Sequence, residues 1–286
     1  MKRKASLLLS EMRPKQWTKN LLVCSAPLFN GSMFQRRIFV RTASAFIAFC
    51  LAAASIYIIN DIYDLPKDRL NPAKLTRPIA AGTLGIKSAL AGSLACMLLG
   101  LAAALALNAS CFALLLSYLA VNLLYTIKLK HVVIVDVMII AYGFVARAVA
   151  GALASGVKLT SWFLLCVMFL SLFLALGKRR SELLDVQEAR IAEGRDVLKF
   201  YTLELLDVMI NVVTSAMIMS YALFAAENRE MGLTIPVVLY GVFYYLYVLH
   251  VKRGGGSPDE ALYKERPILL TVLVYVIYVA AVRSFS

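Results

Sequence analysis

The chain has 286 residues, 61% of them hydrophobic, with a mean hydropathy of +0.76 and a formal net charge of +13 at pH 7. Soluble globular domains contain about 45–50% apolar residues, so this composition excludes an ordinary soluble protein. It predicts one all-α, polytopic integral-membrane domain over residues 1–286.

Nine segments are candidates for membrane-spanning helices, since a span needs about 20 mostly apolar residues. Their approximate bounds are 17–34, 38–60, 87–107, 109–127, 132–154, 160–177, 203–226, 233–251 and 266–284. The first candidate is the weakest, because Lys19, Asn20 and Pro27 interrupt it.

Basic residues are distributed unequally between the two sides of these spans. With the N-terminus in the cytoplasm, most of the 30 Lys and Arg residues fall in the N-terminal tail and in the cytoplasmic loops. This positive-inside pattern explains the net charge without a nucleic-acid partner. We therefore expect a multi-pass protein of the cell (inner) membrane whose charged loops and active site face the cytoplasm. No cleavable signal peptide is expected, because the first apolar run covers only Ala5–Leu9.

The densest group of charges follows the second predicted span. Asp61, Asp64 and Asp68 have the spacing i, i+3, i+7, which places them along one face while the chain stays helical. Pro66 predicts that the helix ends or kinks inside this group. Carboxylates this close repel one another unless a cation binds them, and Mg²⁺ favours oxygen ligands and completes its shell with water and substrate phosphates.

Polar and basic residues accompany these carboxylates within a few turns: Asn60, Lys67, Arg69, Lys74 and Arg77. Acids and bases mixed in this way beside the bilayer indicate a site for a metal ion and a phosphate. The alternative is a set of solvated charges at the end of a helix.

Other polar residues interrupt apolar segments. Lys19 lies deeper than an interfacial anchor requires, and Tyr125 and Lys128 lie at the cytosolic end of the fourth predicted span, where Lys128 could meet the acidic group. Asp136 and Arg147 share the fifth span but are separated by about 16 Å along the helix, so each needs another partner. Ionisable groups within a membrane indicate a function, with a structural salt bridge as the alternative for Arg147.

The loop between the sixth and seventh predicted spans is a second concentration of charge. Lys178 and Arg179 precede Glu182 by four and three residues, so the three share a face if the helix continues. We favour an anion site here, because the basic residues lie at the membrane edge. A solvated amphipathic helix with ordinary ion pairs is the alternative.

The run Asn60-Asp61-x-x-Asp64-x-x-x-Asp68 resembles the first aspartate-rich motif of the UbiA superfamily of intramembrane prenyltransferases. The resemblance implies about nine helices around a central cavity, and a prenyl diphosphate held through Mg²⁺ between this motif and a second one in the sixth-to-seventh loop. This chain departs from the second motif: it has Lys178-Arg179-Arg180-Ser181-Glu182 there. Whether Glu182 and Asp185 form a second metal site is open.

In this departure the chain resembles one branch of the superfamily, the polyprenyl-phosphate phosphoribosyltransferases of the decaprenyl-phosphoryl-5-phosphoribose synthase type. Enzymes of this branch use two phosphorylated substrates. Further runs resemble the same branch: Arg13-Pro14-Lys15-Gln16-Trp17-x-Lys19-Asn20, Asp68-Arg69-x-Asn71-Pro72-x-Lys74-x-x-Arg77-Pro78, Tyr125-x-x-Lys128, Asp136-Val137 with Arg147, and Leu176-Gly177-Lys178-Arg179-Arg180-x-Glu182.

The resemblance implies attack by a polyprenyl phosphate oxygen on C1 of 5-phosphoribosyl 1-diphosphate, with release of pyrophosphate and with Mg²⁺ as cofactor. It assigns Asp61, Asp64 and Asp68 to the metal and the diphosphate. The expected substrate-binding residues are Lys19, Asn60, Lys74, Arg77, Tyr125, Lys128, Asp136, Arg147, Lys178, Arg179 and Glu182. Which cation binds which phosphate is open.

Three alternatives make different predictions. A non-catalytic membrane scaffold would not need the charges to concentrate on one side. A UbiA-type prenyltransferase that moves a prenyl group from its diphosphate onto an aromatic or lipid acceptor predicts a second aspartate-rich loop. A transporter that uses Asp136 and Arg147 predicts discontinuous helices in repeated halves. The sequence leaves open the prenyl chain length, the fate of the product and the oligomeric state, a homo-oligomer included.

Overall fold

The computed structural model describes residues 2–70, 74–188, 196–227, 229–254 and 264–285, and the regular elements within these ranges are helices. The all-α prediction is therefore confirmed. The α-helices are α1 Lys2–Glu11, α2 Ser25–Phe29, α3 Arg36–Tyr63, α4 Leu65–Asp68, α5 Ile86–Leu107, α6 Ala109–Ile127, α7 Val135–Ser155, α8 Ser161–Gln187, α9 Leu203–Glu227, α10 Ile235–His250 and α11 Arg266–Phe285. The 3-10 helices are Pro14–Cys24, Leu129–His131, Asp196–Phe200 and Arg229–Thr234.

Seven helices among the described residues are long and apolar enough to cross a membrane: α3, α5, α6, α7, α8, α9 and the segment Glu230–His250, which contains α10. The ninth predicted span is α11, which is apolar over the shorter stretch Arg266–Val282. The predicted count of nine is therefore approximate.

The first predicted span, residues 17–34, is not one helix. The structure forms the 3-10 helix Pro14–Cys24 and then the short α2. This segment packs very closely on α7, because a Cβ atom added to Gly151 would lie 1.8 Å from the carbonyl oxygen of Val23. A regular span would present an apolar face to its neighbours. Here the buried Asn20 instead makes polar contacts with side chains of α3 and α7, which are described below.

The chain divides into two compact units. The first comprises Met1–Leu129 and Ala146–Lys158, and the second comprises Lys130–Val145 and Leu159–Ser286, so the division falls inside α7. The prediction of a single domain over residues 1–286 stays a prediction.

The first unit is built on α3, which packs against α5 and α6. Its buried face is rich in alanine, and a Cβ atom added to Gly100 of α5 would lie 3.0 Å from the carbonyl oxygen of Ala48. Small residues of this kind let two helix backbones approach closely. The C-terminal end of α3 and the segment before α5 form an apolar cluster around Ile58, Ile79 and Leu84, and residues of α1 pack against it.

The second unit is built on α8, which packs against α9. Many of its buried residues form an apolar cluster, whose largest members include Phe173, Leu176, Leu183, Leu206, Ile210, Tyr245 and Leu249. Helix α8 continues to Gln187, well beyond residue 177, where the predicted span ends. The basic residues that the sequence placed in a loop therefore lie on a helix.

Candidate active site

The packing of α1 brings two charged residues to the C-terminal end of α3. Leu7, Leu8 and Met12 pack against the apolar cluster of the first unit. Because α1 ends at Glu11, this packing carries Glu11 and Arg13 to the aspartate-rich motif.

Arg13 is a direct partner of the motif. Its Nη2 atom donates to both carboxylate oxygens of Asp61, at 2.6 Å to Oδ2, and its guanidinium group lies 5.3 Å from the centre of the Tyr57 ring. The backbone of Arg13 is left-handed, with φ 51° and ψ 62°. The sequence assigned no site role to Arg13, which its basic surroundings made indistinguishable from a lipid anchor.

Asp61 and Asp68 share one cation. Nη1 of Arg77 donates to Oδ1 of Asp61 at 3.0 Å and to Oδ2 of Asp68 at 2.6 Å, while Nζ of Lys74 donates to Oδ1 of Asp68 at 2.6 Å. Both carboxylates are buried, with 2% and 1% of their surface exposed. Buried charges need such partners. Lys74 and Arg77 thus lie beside the acids in space as well as in sequence, and their role as phosphate ligands stays a prediction.

Asp64 occupies a different position. Helix α3 ends at Tyr63 and α4 begins at Leu65, so the helix breaks inside the motif, as Pro66 predicted. Nδ2 of Asn60 donates to Oδ2 of the half-buried Asp64 at 3.1 Å. This contact orients Asp64; the metal-binding role of Asp64 and the substrate-binding role of Asn60 stay predictions.

The donor atoms of the motif fit a magnesium ion. In the ranges that the structure describes, no three His, Cys, Asp or Glu side chains lie together as a ready metal site. The carboxylates are nevertheless oxygen ligands of the class that Mg²⁺ prefers. One cationic atom, Nη1 of Arg77, already contacts both Asp61 and Asp68 within 3.0 Å. A cation at that point is ligated by two carboxylates from different helices.

A fourth carboxyl group lies beside this cluster. Oε1 of Glu11 accepts a hydrogen bond from the N–H of Ile79 at 2.7 Å, and its side chain also interacts with Asp61. Burial, followed by the neighbouring Asp61, raises the pKa of Glu11 to about 7. Glu11 therefore carries a partial charge at neutral pH.

The end of α6 lies next to the end of α3 in the same unit. The O–H of Tyr63 donates to the carbonyl oxygen of Ile127 at 3.2 Å. Tyr125 is half-buried and Lys128 is exposed. Tyr125 lies in the last turn of α6 and Lys128 follows the helix directly, and their binding roles stay predictions. Asn71 and Pro72, which contribute to the resemblance, lie outside the described residues.

Arg147 joins the 3-10 helix Pro14–Cys24 to α7. Its Nε donates to Oδ1 of Asn20 at 2.6 Å, and its Nη2 donates to the O–H of Tyr118 at 3.0 Å. Nδ2 of Asn20 in turn donates to Sγ of Cys50 at 3.2 Å. Lys19 lies close enough to Tyr118 for an electrostatic interaction. Arg147 is 5% exposed, so these contacts hold a buried cation in place.

In the second unit, Asp136 is paired with Arg179. Nε of Arg179 donates to Oδ2 of Asp136 at 2.6 Å, and its Nη1 donates to Oε2 of Glu182 at 2.8 Å. The O–H of Tyr201 donates to Oδ1 of Asp136 at 2.9 Å. Burial raises the pKa of Tyr201 to about 12, so the phenol keeps its proton and can donate. The prediction that Asp136 needs a partner other than Arg147 is confirmed.

The basic residues of α8 have different surroundings. Lys178 lies 4.0 Å from Oε1 of Glu182 and is 39% exposed, whereas Arg179 is buried. The predicted common face of these three residues is confirmed. Nε of Arg180 donates to Oδ1 of Asp207 at 2.5 Å, and its Nη1 donates to the carbonyl oxygen of Leu249 at 3.2 Å. Arg180 thus satisfies a carbonyl group at the end of α10.

Helices of this length and composition, with charged clusters at their ends, define a helical membrane protein. The model of the UbiA prenyltransferase family matches residues 28–265, and the chain therefore belongs to that family. It is 35% identical to the decaprenyl-phosphate phosphoribosyltransferase of Corynebacterium glutamicum, over 94% of this chain and 84% of that protein. It is also 35% identical to the protein of the same name from Mycolicibacterium smegmatis, over 98% of this chain and 93% of that protein.

A solved structure shares the fold. A UbiA homologue from Archaeoglobus fulgidus, bound to DMAPP and Mg²⁺, is similar with a TM-score of 0.73 and 20% identity, over 97% of this chain and 99% of that one. Together with the seven apolar helices, the family makes this chain a multi-pass membrane protein.

Proposed function

We propose that this chain transfers the 5-phosphoribosyl group of 5-phosphoribosyl 1-diphosphate to a polyprenyl phosphate of the decaprenyl type and releases pyrophosphate, with Mg²⁺ as cofactor. The observation that carries the proposal is the sharing of Arg77 by Asp61 and Asp68. In this arrangement, two carboxylates that would ligate the metal contact an arginine that would bind phosphate. The arrangement occurs in a chain similar over nearly its whole length to proteins named decaprenyl-phosphate phosphoribosyltransferase.

The aspartate-rich motif would hold the metal and the diphosphate. Asp61, Asp64 and Asp68 would ligate Mg²⁺, which when bound stabilises negative charge on the leaving diphosphate. Lys74 and Arg77, which contact the same carboxylates, bind the diphosphate oxygens through charge-assisted hydrogen bonds. Asn60, whose Nδ2 contacts Asp64, would fix the orientation of that carboxylate.

The reaction needs no general base from the protein. The attacking oxygen of the polyprenyl phosphate is already ionised at neutral pH. Its bond to C1 of the ribose forms as the bond between C1 and the diphosphate breaks, and the leaving diphosphate keeps the electron pair. The protein therefore acts by positioning two phosphorylated substrates and by compensating their charge.

The remaining predicted residues divide by their surroundings. Lys19, Tyr125 and Lys128 of the first unit are our candidates for binding the lipid phosphate, because none of them is fully buried. Lys178 of the second unit is also not fully buried, and its predicted role in substrate binding stays a proposal. Asp136, Arg147, Arg179 and Glu182 make the short contacts described above, and we assign them to positioning the helices that carry the site. The one-sided distribution of basic residues supports a cell-membrane location with the site facing the cytoplasm.

A reaction with purified protein tests this proposal. The protein in detergent is incubated with Mg²⁺, 5-phosphoribosyl 1-diphosphate and a polyprenyl phosphate, and phosphoribosylated lipid and pyrophosphate are measured. We expect both products in equal amounts, and a loss of about 100-fold or more in Asp61→Asn and Asp64→Ala. Asp196→Asn, at a position 47% exposed, is the matched control and should keep full activity.

The alternative gives a different result. If the protein forms no phosphoribosylated lipid but consumes a prenyl diphosphate in the presence of an aromatic or lipid acceptor, it is an ordinary prenyltransferase of the family. That outcome would reject phosphoribosyl transfer.

A further inference from the structure

A polar cavity of about 280 Å³ opens beside the aspartate-rich motif in the first unit. It is lined by Ser10, Glu11, Arg13, Thr76, Arg77 and Pro78. Two of these residues, Arg13 and Arg77, also contact Asp61. The cavity is therefore adjacent to the proposed diphosphate site and separate from its carboxylates.

The two arginines have hydrogen-bonding capacity to spare. A guanidinium group has five N–H donors. Among the described residues, the side-chain hydrogen bonds of Arg13 use Nη2 and those of Arg77 use Nη1. Their side chains are 27% and 28% exposed although each contacts a buried carboxylate. Each can thus bind Asp61 and an anion in the cavity.

The backbone of Arg13 supports a functional role for its side chain. A left-handed conformation costs a residue with a side chain about 1 kcal/mol or more, whereas glycine adopts it freely. Arginine at φ 51° is therefore energetically unfavourable in the turn between α1 and the 3-10 helix Pro14–Cys24. Strain of this kind is concentrated at binding and catalytic sites.

We propose that this cavity is a second anion subsite, which binds the 5-phosphate of the phosphoribosyl donor through Arg13, Arg77 and the hydroxyl groups of Ser10 and Thr76. The inference rests on the proposed function and identifies the part of the donor that the aspartate-rich motif does not bind. A prenyl diphosphate has no second anionic group, so a cationic cavity beside the diphosphate site would have nothing to bind in a prenyl donor.

The acidic member of the lining is compatible with this role. Oε1 of Glu11 accepts a hydrogen bond from the N–H of Ile79, so that oxygen is bound to the protein backbone. A lipid phosphate has the same head-group chemistry, but the experiment below distinguishes the two.

Binding measurements on the full chain in detergent test the subsite. Isothermal titration with Mg²⁺ present measures the affinities for ribose 5-phosphate, pyrophosphate, 5-phosphoribosyl 1-diphosphate and farnesyl phosphate. In Arg13→Ala we expect the ratio of affinities for 5-phosphoribosyl 1-diphosphate and pyrophosphate to fall by about 10-fold or more, since hydrogen bonds to charged groups are strong. Thr76→Val, which has no contact with Asp61 in the described structure, should weaken ribose 5-phosphate binding a few-fold and leave pyrophosphate binding unchanged.

Arg37→Ala is the matched control, because Arg37 is exposed at the opposite end of α3 from Asp61; its affinities should equal those of the parent protein. Equal losses for 5-phosphoribosyl 1-diphosphate and pyrophosphate in Arg13→Ala would place Arg13 in the diphosphate site and reject the subsite. Weaker binding of farnesyl phosphate, with ribose 5-phosphate unaffected, would assign the cavity to the lipid and also reject it.

If Arg13→Ala does not fold, Thr76→Val and Ser10→Ala decide the question: unchanged ribose 5-phosphate binding in both overturns the inference. Failure of the proposed function is a separate result. It is the absence of phosphoribosylated lipid in the activity assay of the parent protein.

Discussion

Nε of Arg179 lies 2.6 Å from Oδ2 of Asp136, and the two side chains are only 1% and 0% exposed. The pair joins α8 to the start of α7 within the second unit. The O–H of Tyr201 donates a hydrogen bond to the other oxygen of the Asp136 carboxylate. A buried pair of this kind adds little net stability over apolar residues, but the loss of one partner leaves an uncompensated buried charge. We therefore assign the pair a structural role, which the loss of either partner would disrupt.

We expect Asp136→Ala to lower the free energy of unfolding by about 2–4 kcal/mol, because the buried Arg179 would keep only Glu182 as its carboxylate partner. The melting temperature in detergent measures this effect. The matched control is Asp196→Ala, which removes an exposed ion pair with Lys199 at 3.6 Å and should cost less than about 1 kcal/mol. Similar losses in both variants would contradict a special role for the buried pair.

Gly151→Ala should destabilise the first unit strongly. Its new Cβ atom would lie 1.8 Å from the carbonyl oxygen of Val23, and a contact that short with backbone forces the 3-10 helix away from α7. The melting temperature should fall by several degrees. Gly232→Ala, where a Cβ atom meets nothing within 4 Å, should leave it within a degree or two, and an equal fall would contradict the close approach.

Magnesium and pyrophosphate should bind together better than either binds alone. The cations Arg13, Lys74 and Arg77 already compensate Asp61 and Asp68. Mg²⁺ alone therefore adds positive charge to a compensated site, and pyrophosphate alone adds negative charge beside carboxylates. Because ligands that bind the native state raise its stability, the increase in melting temperature with both should exceed the sum of the separate increases.

Asp68→Asn tests the origin of this synergy. It removes a carboxylate that two cations contact, so the combined increase should fall to the sum of the separate ones. Glu204→Gln, at an exposed position, should keep the full synergy. Persistent synergy in Asp68→Asn would show that the ligands bind elsewhere.

The pKa of Glu11 predicts a pH-dependent loss of stability in the absence of magnesium. Its folded-state pKa, about 7, lies above the ordinary value of 4.5, so the folded state favours the protonated form. The stability that results is fully present below pH 4.5 and is lost as the pH rises to about 7. Glu11→Gln can still accept the hydrogen bond from Ile79 and has no charge to bury. Its melting temperature relative to the parent should therefore be higher at pH 8 than at pH 5, and a constant difference would contradict the prediction.

Several features of the site were predictable because they depend on neighbouring residues in the chain. Pro66 cannot donate a backbone hydrogen bond, and the break between α3 and α4 follows from that. Lys178, Arg179 and Glu182 share a face because the helical repeat places residues three and four apart together. Helix α8 continues to Gln187 beyond the span predicted to end at residue 177, because hydropathy reports where a helix leaves the apolar phase and not where it ends.

The sequence by itself determined the all-α class, the approximate spans, the concentration of basic residues in alternate loops and the aspartate-rich motif, since hydropathy and periodicity are local properties. Only the tertiary structure decided which cation meets which carboxylate. Arg13 and Asp61 are 48 residues apart, and Asp136 and Arg179 are 43 residues apart. Such pairs form because helices pack through their apolar faces, and the positions of the charges follow from that packing.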